Sequence, residues 1–279
     1  MSKKILITGA GGFVGKNLQE HLQKKYTIFS PRSYELDLLN EDEVKTYIDS
    51  AQVDFIIHCA NRGGARGIVD DESVVSDNIK MFDNLIKCLN GNKMIFFGSG
   101  AQYNKARHLS KVKEEQFGES IPKDPYGLSK YKIVKQIEKL NNVLCLNIFG
   151  CYGKYEKENR FPSYAIKQNL NKQPITINQN VIFDYLYIDD LCKIIEHFIE
   201  NKASENVINI TPSESIDLLS IANLVNEISD FKSDIIIKND KMNYEYTGCN
   251  KRLKREIPNI SFKPYKKGLI SLFKHLQQN

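Results

Sequence analysis

Residues 3–15 read KKILITGAGGFVG. The apolar run Ile5-Leu6-Ile7 predicts a strand over residues 3–8, which runs straight into glycines at 9, 11, 12 and 15. Glycine lets backbone N–H groups come close to a ligand, and a helix after such a turn aims its positive dipole end at the same point. A strand, glycine turn and helix in series therefore suit a pyrophosphate. A loop of the Gly-x-x-x-x-Gly-Lys-Ser/Thr kind is excluded, because Ala10 stands five before Gly15 and Asn17 follows Lys16. The spacing also departs from Gly-x-Gly-x-x-Gly, with glycines fitting 9, 12 and 15 and Gly11 extra. An ordinary tight turn is the bland alternative. The position at the first strand favours a dinucleotide loop, with Gly9, Gly11, Gly12, Phe13, Val14 and Gly15 against the cofactor.

Outward from this loop, short apolar runs alternate with amphipathic segments. Strands are predicted over 26–30, 53–60, 93–99 and 142–150. Helices are predicted over 17–25, 41–50, 77–90 and 124–140, the second opened by Asn40 as N-cap. Runs such as VDFIIHCA (53–60) are almost continuously apolar, which suits strands buried on both faces of a parallel sheet. Strand and helix taking turns predict an α/β fold, a Rossmann-type doubly wound parallel sheet. After residue 150 the rhythm changes. A helix within 161–172, an extended run and a helix within 181–201, a strand over 206–211, and two helical segments around a short strand at 235–238 are expected. This divides the chain into a dinucleotide-binding domain, residues 1–150 with returning segments near 181–211, and a smaller interleaved α/β lobe, residues 151–279.

The chain has 279 residues, 41% of them apolar, and a net charge of +5. Its Lys and Arg are spread along the sequence without a basic block, so nucleic acid is not an expected partner, while the mild positive bias suits a small anionic substrate. The six cysteines form no Cys-x-x-Cys and meet no His at zinc spacing, so no metal is expected and the thiols read as reduced core residues. The first apolar run is too short for a secretion signal, and no window approaches a membrane span. A cytoplasmic location is expected.

Two further features bear on chemistry. The second predicted strand ends in Phe29-Ser30-Pro31-Arg32. A carboxylate here would serve the ribose 2′-OH of NAD, whereas Arg32 is what a 2′-phosphate needs, so NADP(H) is favoured over NAD. The second feature is Tyr-x-x-x-Lys, which occurs twice: Tyr126 with Lys130, and Tyr131 with Lys135. Residues four apart share a helix face, but five residues separate the two tyrosines, so the pairs point roughly 140° apart. Only one pair can face a site at the carboxyl ends of the strands. Tyr126 follows Asp124-Pro125 at the expected helix start and is the better placed. Ser99 closes a predicted strand at the same edge. A free phenol is a weak acid, with a pKa of about 10, and a neighbouring ammonium is expected to lower it. Ser99, Tyr126 and Lys130 thus supply a carbonyl-binding hydroxyl, a proton donor and a cation.

TGAGGFVG (8–15), Asp37-Leu38 in ELDLLN, Asn78 in SDNIKMFDNLI, the Ser99–Tyr103 segment, the Tyr126–Lys130 motif, DYLYIDDL and NRFPSYAI resemble the extended short-chain dehydrogenase/reductases, the NAD-dependent epimerase/dehydratase family, over nearly the whole chain. The resemblance implies NAD(P) in the large lobe and a nucleotide-diphosphate sugar in the cleft. It implies Asp37 and Leu38 beside adenine, Cys59 and Ala60 along the cofactor, Asn78 at the cofactor site, and Phe149 within 147–150 at the nicotinamide end. Within the family, PRSYELDLLNEDEV and IFFGSGAQYNK are most similar to keto-sugar reductases of the GDP-L-fucose synthase kind.

Three departures refine this. Ala101 and Asn159 stand where those enzymes carry the Cys and His that move carbon-bound protons, so reduction without epimerisation is expected. Gly100-Ala101 stand where dehydratases carry Asp-Glu. Phe183 stands where an Arg usually grips pyrophosphate, leaving Lys154, Arg160 or Arg252 for that task. Ala101, Gln102, Asn159, Arg160 and Arg252 are the expected substrate-binding residues. The implied activity is NADPH-dependent reduction of the 4-keto group of a nucleotide-activated deoxy sugar. The alternatives are an NAD-retaining nucleotide-sugar 4-epimerase and a non-catalytic cofactor-sensing protein on the same fold. A homodimer is expected by analogy, through Ile133, Ile137 and Leu140 on the outer side of their helix.

Overall fold

The computed structural model describes residues 2–65 and 67–278. Strand β1 (Lys4–Thr8) enters the glycine turn and helix α1 (Phe13–Leu22). The helix begins earlier than expected because Gly12, in extended backbone, serves as its N-cap and ends the turn. There follow β2 (Thr27–Phe29), α2 (Glu41–Ala51), β3 (Phe55–His58), α3 (Ser73–Lys87) and β4 (Lys93–Ser99). The Asn40 side chain caps α2, accepting from Asp42 N at 3.2 Å and Glu43 N at 3.4 Å, and three acids in the first turn complement the helix dipole. A 3₁₀ turn, Gly100–Tyr103, and β5 (Leu109–Val112) precede α4 (Pro125–Ile137) and β6 (Val143–Ile148).

The rest of the chain runs through β7 (Gly150–Tyr152), α5 (Phe161–Leu170), β8 (Ile175–Gln179), β9 (Ile182–Phe183), β10 (Tyr185–Tyr187) and α6 (Ile188–Glu200). It ends with β11 (Val207–Ile210), β12 (Ile216–Asp217), α7 (Leu218–Ile228), β13 (Ile235–Asn239), β14 (Tyr246–Gly248), α8 (Lys251–Glu256) and α9 (Tyr265–Gln277). Residues 213–278 thus hold three helices, where two helical segments were expected.

Six strands form one sheet in the order β11-β6-β4-β3-β1-β2, with every pair parallel. On β1, Ile5 and Ile7 enter one apolar cluster with Leu18 and Leu22 of α1 and Ile195 of α6. Leu6 enters the other, with Val44 of α2, Phe82 of α3 and Ile133 of α4. Helices covering both faces explain why the strands read as continuous apolar runs. Helix α6 buries Ile188, Leu191, Ile195 and Phe198, a three-to-four-residue stripe, and packs on α1. Strand order reverses between β1 and β3, and a doubly wound sheet opens its ligand crevice at the carboxyl ends of such strands.

One expectation is corrected here. Ile133 and Ile137 are 1% and 0% exposed. They lie under α4 against the sheet, with Leu140 packed on the same cluster, because α4 must cover the sheet's apolar face. They leave no outward stripe for pairing with a second copy.

A smaller mixed sheet, β12-β9-β14-β5, joins distant parts of the chain beyond the carboxyl end of β4. The buried Asp184 carboxylate accepts from Gly248 N at 2.8 Å and from Ser215 Oγ at 2.6 Å, and pairs with Lys111 at 3.1 Å. This ties β14 to the segment between β9 and β10.

Candidate active site

Two cavities adjoin the carboxyl edge of the sheet. The first, of about 390 Å³, is lined by Gly9, Gly11, Gly12, Arg32, Ser33, Asp37, Leu38, Ala60 and Arg62, among others. Gly9 has φ +67°, and a Cβ there would meet Ala60 N at 2.6 Å. A Cβ on Gly15 would meet Gly9 O at 2.5 Å, so this glycine shapes the loop from beneath rather than lining the cavity. A Cβ on Gly11 would collide with the Arg32 guanidinium, which therefore lies directly over the loop. The bared backbone, the start of α1 and the overlying guanidinium make a concave, positively polarised surface that fits a dinucleotide's phosphates.

The second cavity, of about 480 Å³, is lined by residues from both halves of the chain: Phe13, Val14, Cys59, Ser99, Ala101, Lys105, Tyr126, Lys130, Phe149, Arg160, Phe183 and Tyr246 among them. Tyr126 sits in the first turn of α4. Asp124 caps that helix by accepting from Gly127 N at 3.0 Å, and Pro125 supplies a preset φ. Gly127 lets α4 approach the 3₁₀ turn, since a Cβ there would lie 2.9 Å from Ala101 O. One turn on, the buried Lys130 ammonium lies 5.6 Å from the Tyr126 ring centre and donates to Phe97 O at 2.9 Å. Ser99, at the end of β4, lines the same cavity as Tyr126, and its hydroxyl accepts from Ala101 N at 3.2 Å. The three residues share one cavity. Tyr131 packs its ring on Phe117 at 4.9 Å, outside that cavity, and Lys135 pairs with Glu138.

Burial pushes the Tyr126 phenol up, and the opposing influences are the Ser99 hydrogen bond and the Arg160 charge. Burial also lowers Lys130, to about 8. His58 also lines this cavity but is held neutral, burial lowering it to about 3, and it shares a 2.7 Å hydrogen bond with Thr8. The Cys59 and Cys151 thiols are pushed far up by burial.

Besides Gly15, four expected ligand residues fall outside both cavities. The Asn78 carboxamide is committed to its surroundings, accepting from Arg62 N at 2.8 Å and donating to Arg62 O at 2.9 Å and Ser129 Oγ at 3.2 Å. It braces the loop after β3 against α4. Gln102 is fully buried behind Ala101, because the 3₁₀ turn points successive side chains to different sides. Asn159 is exposed and off the cavity wall. Arg252 lies among Glu114, Glu115 and Glu205 in a separate depression, where those carboxylates neutralise it. Lys154 is similarly held, by Glu20 at 2.8 Å. Of the three expected diphosphate grips only Arg160, at the N-terminus of α5, reaches the cavity. Sequence reasoning missed Lys105, Tyr244 and Tyr246. The last two come from a short strand and its approach that carry no periodic signal.

Among the described residues no group of metal-ligating side chains is present, and no helix is long and apolar enough to cross a membrane. All six cysteines are free.

Residues 5–211 match the NAD dependent epimerase/dehydratase family. A GDP-L-colitose synthase of Yersinia pseudotuberculosis is 27% identical over 266 residues, covering 85% of this chain and 86% of that one. A GDP-L-fucose synthetase of Naegleria fowleri, solved bound to NADP, superposes with a TM-score of 0.87 at 17% identity, covering 99% of this chain and 93% of that one. A UDP-glucose 4-epimerase of Thermotoga maritima, solved with UDP-glucose, superposes with a TM-score of 0.85 at 17% identity, covering 99% of each. The matched span takes in the glycine loop, Ser99, Tyr126, Lys130 and the sheet that carries them. The chain is therefore an enzyme that belongs to the NAD dependent epimerase/dehydratase family.

Proposed function

We propose that the protein reduces the 4-keto group of a nucleotide-activated deoxy sugar with NADPH and leaves the neighbouring carbons' configuration unchanged. The observation that carries this reading is the convergence of Ser99, Tyr126 and Lys130 on one cavity beside the glycine loop. Bound NADPH supplies the hydride that reduces the ketone carbon. The chain's own residues do the rest. Tyr126 donates its proton to the ketone oxygen, Ser99 holds that oxygen by a hydrogen bond, and Lys130 offers a cation beside the phenol as it loses its proton. Solvent then reprotonates Tyr126.

Arg32 over Gly11 supports NADPH rather than NADH, because a guanidinium suits a 2′-phosphate. The lining of the second cavity supports reduction without epimerisation. It contains no carboxylate among the described residues, its histidine and cysteines are poor bases at neutral pH, and Ala101 has no proton to exchange. Arg160 is the cation the cavity offers to the diphosphate, Lys105 beside it being paired with Asp124 at 3.0 Å, and Phe183 presents an aromatic face instead of a charge. A nucleotide-sugar 4-epimerase would keep its NAD tightly bound and consume no NADPH.

The test is NADPH consumption against GDP-, CDP-, UDP- and dTDP-linked 4-keto sugars, with NADH as control. Stoichiometric NADPH oxidation and an alcohol product of unchanged neighbouring configuration are expected. NAD copurifying with the protein, and sugar interconversion without net oxidation, would replace this reading with the epimerase.

A further inference from the structure

Gly63 and Gly64, in the segment that leaves β3, belong to none of the motifs that mark the site. Both have left-handed backbone, at φ +77° and +73°, so the chain bends sharply here. The bend lays Gly64 against the ring of Tyr126. A Cβ on residue 64 would lie 2.9 Å from Cδ2 of that ring and 3.0 Å from Cε2 and Cγ, so any side chain there would have to push the ring aside. Gly64 also lines the second cavity, and bare backbone thus forms the wall beside the phenol.

Hydrogen bonds hold the bend from two directions. Within α3, the Asn78 carboxamide takes both backbone groups of Arg62, at 2.8 and 2.9 Å. Just before α3, the Asp70 carboxylate accepts from Gly64 N through both oxygens, at 2.9 and 3.1 Å. One of those oxygens also stands 2.8 Å from the place a Cβ on Gly63 would take, so the bend closes tightly around the carboxylate. A carboxylate on a backbone N–H is stronger than a neutral pair. Asp70 lines neither cavity, and its reach to the site is through Gly64 alone. We propose that Asp70 is a positioning residue for the reduction: it clamps Gly64 against the Tyr126 ring and so holds the phenol where it can protonate the ketone oxygen. The catalytic consequence rests on the reductase reading. Tyr126 is only half-buried and swings on two side-chain torsions, so a wall on one side of its ring restricts where its hydroxyl can go. Proton transfer needs that hydroxyl within about 3 Å of the receiving oxygen, and a misplacement of about 1 Å can cost on the order of 100-fold.

Asp70→Ala removes the clamp. With the keto sugar that the wild type turns over, kcat is expected to fall about 10- to 100-fold with the KM for NADPH unchanged. Asp70→Asn keeps an oxygen for Gly64 N and should hold kcat within about threefold of wild type, since only the charge on that bond is lost. Wild-type kcat in Asp70→Ala, or equal losses in the two variants, would overturn the proposal. A second measurement needs no substrate. In protein labelled with 3-fluorotyrosine, the Tyr126 fluorine signal is assigned by its loss in Tyr126→Phe. A ring held against backbone has two unlike edges and flips slowly, so two Tyr126 resonances are expected in the wild type and in Asp70→Asn. Asp70→Ala should merge them into one. A single merged resonance in the wild type, or two that survive in Asp70→Ala, counts against the clamp. A protein inert towards every keto sugar but showing this merging would sink the reductase reading and leave the link from Asp70 to Tyr126 intact.

Discussion

Replacing Lys130 with Met should make the cofactor-free protein more stable while abolishing turnover. The ammonium is buried, and desolvation lowers it from 10.5 to about 8. The unfolded chain therefore holds this proton more tightly than the folded one. The penalty on folding is absent above 10.5, grows as pH falls through that value, and is complete below about 8. The difference between 10.5 and about 8 corresponds to about 3 kcal/mol. Methionine keeps the length and removes the charge, but leaves the Phe97 carbonyl without the partner it now has at 2.9 Å. A buried acceptor left unpaired costs about 1–3 kcal/mol. The net gain is up to about 2 kcal/mol at neutral pH, which raises Tm by up to about 5 °C in a chain of this size. Thermal unfolding of both cofactor-free proteins at neutral and alkaline pH measures it. The advantage should shrink as pH climbs from about 8 towards 10.5, where the wild type sheds its penalty. A variant less stable at neutral pH, or one whose advantage is unchanged by alkali, would refute the reasoning. NADP⁺ should stabilise the wild type more than the variant.

Tyr126→Phe should lower kcat by at least about 100-fold with little change in cofactor affinity. Tyr131→Phe should stay within about twofold in steady-state kinetics, because its ring meets Phe117 outside the cavity. Arg32→Ala should raise the KM for NADPH about 10- to 100-fold, the worth of a charge-assisted contact, and leave that for NADH nearly unchanged. Glu156→Gln should stabilise the protein above neutral pH. Burial raises the Glu156 carboxyl from 4.5 to about 7, so the folded state holds a proton that the unfolded state releases, and wild-type stability falls as pH rises through that window. The amide keeps the neutral shape and the bond from Ser163 N at 2.9 Å, and unfolding above neutral pH should show a gain of up to about 3 kcal/mol.

The legible part of this molecule is local. An apolar run ending in Gly9 reads correctly as β1 and its turn because strand formation and positive φ depend on residues adjacent in the chain. Asn40 reads as a cap because the groups it satisfies are two and three residues away. Tyr126 is separable from Tyr131 because angular position on a helix follows from spacing alone. The six-stranded sheet followed from repetition of one local unit. Helix α4 shows where local reading stops: its periodic stripe of Ile133 and Ile137 is plain in the sequence, but whether that stripe meets a sheet or another copy is not.

Proximity across the chain had to come from the coordinates. Arg252 and Arg160 look equivalent as cations, yet one is neutralised by Glu114, Glu115 and Glu205 and the other opens on the cavity. Gln102 and Ala101 are neighbours, and the 3₁₀ turn sends only one to the wall. Tyr246 stands on a three-residue strand, too short for any periodicity, and its place in the cavity depends on Asp184, Gly100 and Phe149 together. Dihedral preferences and side-chain periodicity act over a few residues and are written in order along the chain. Which distant groups share a low-dielectric cavity is set by the packing of the whole, and that packing decides which side chains are charged, free or aimed at the reacting oxygen.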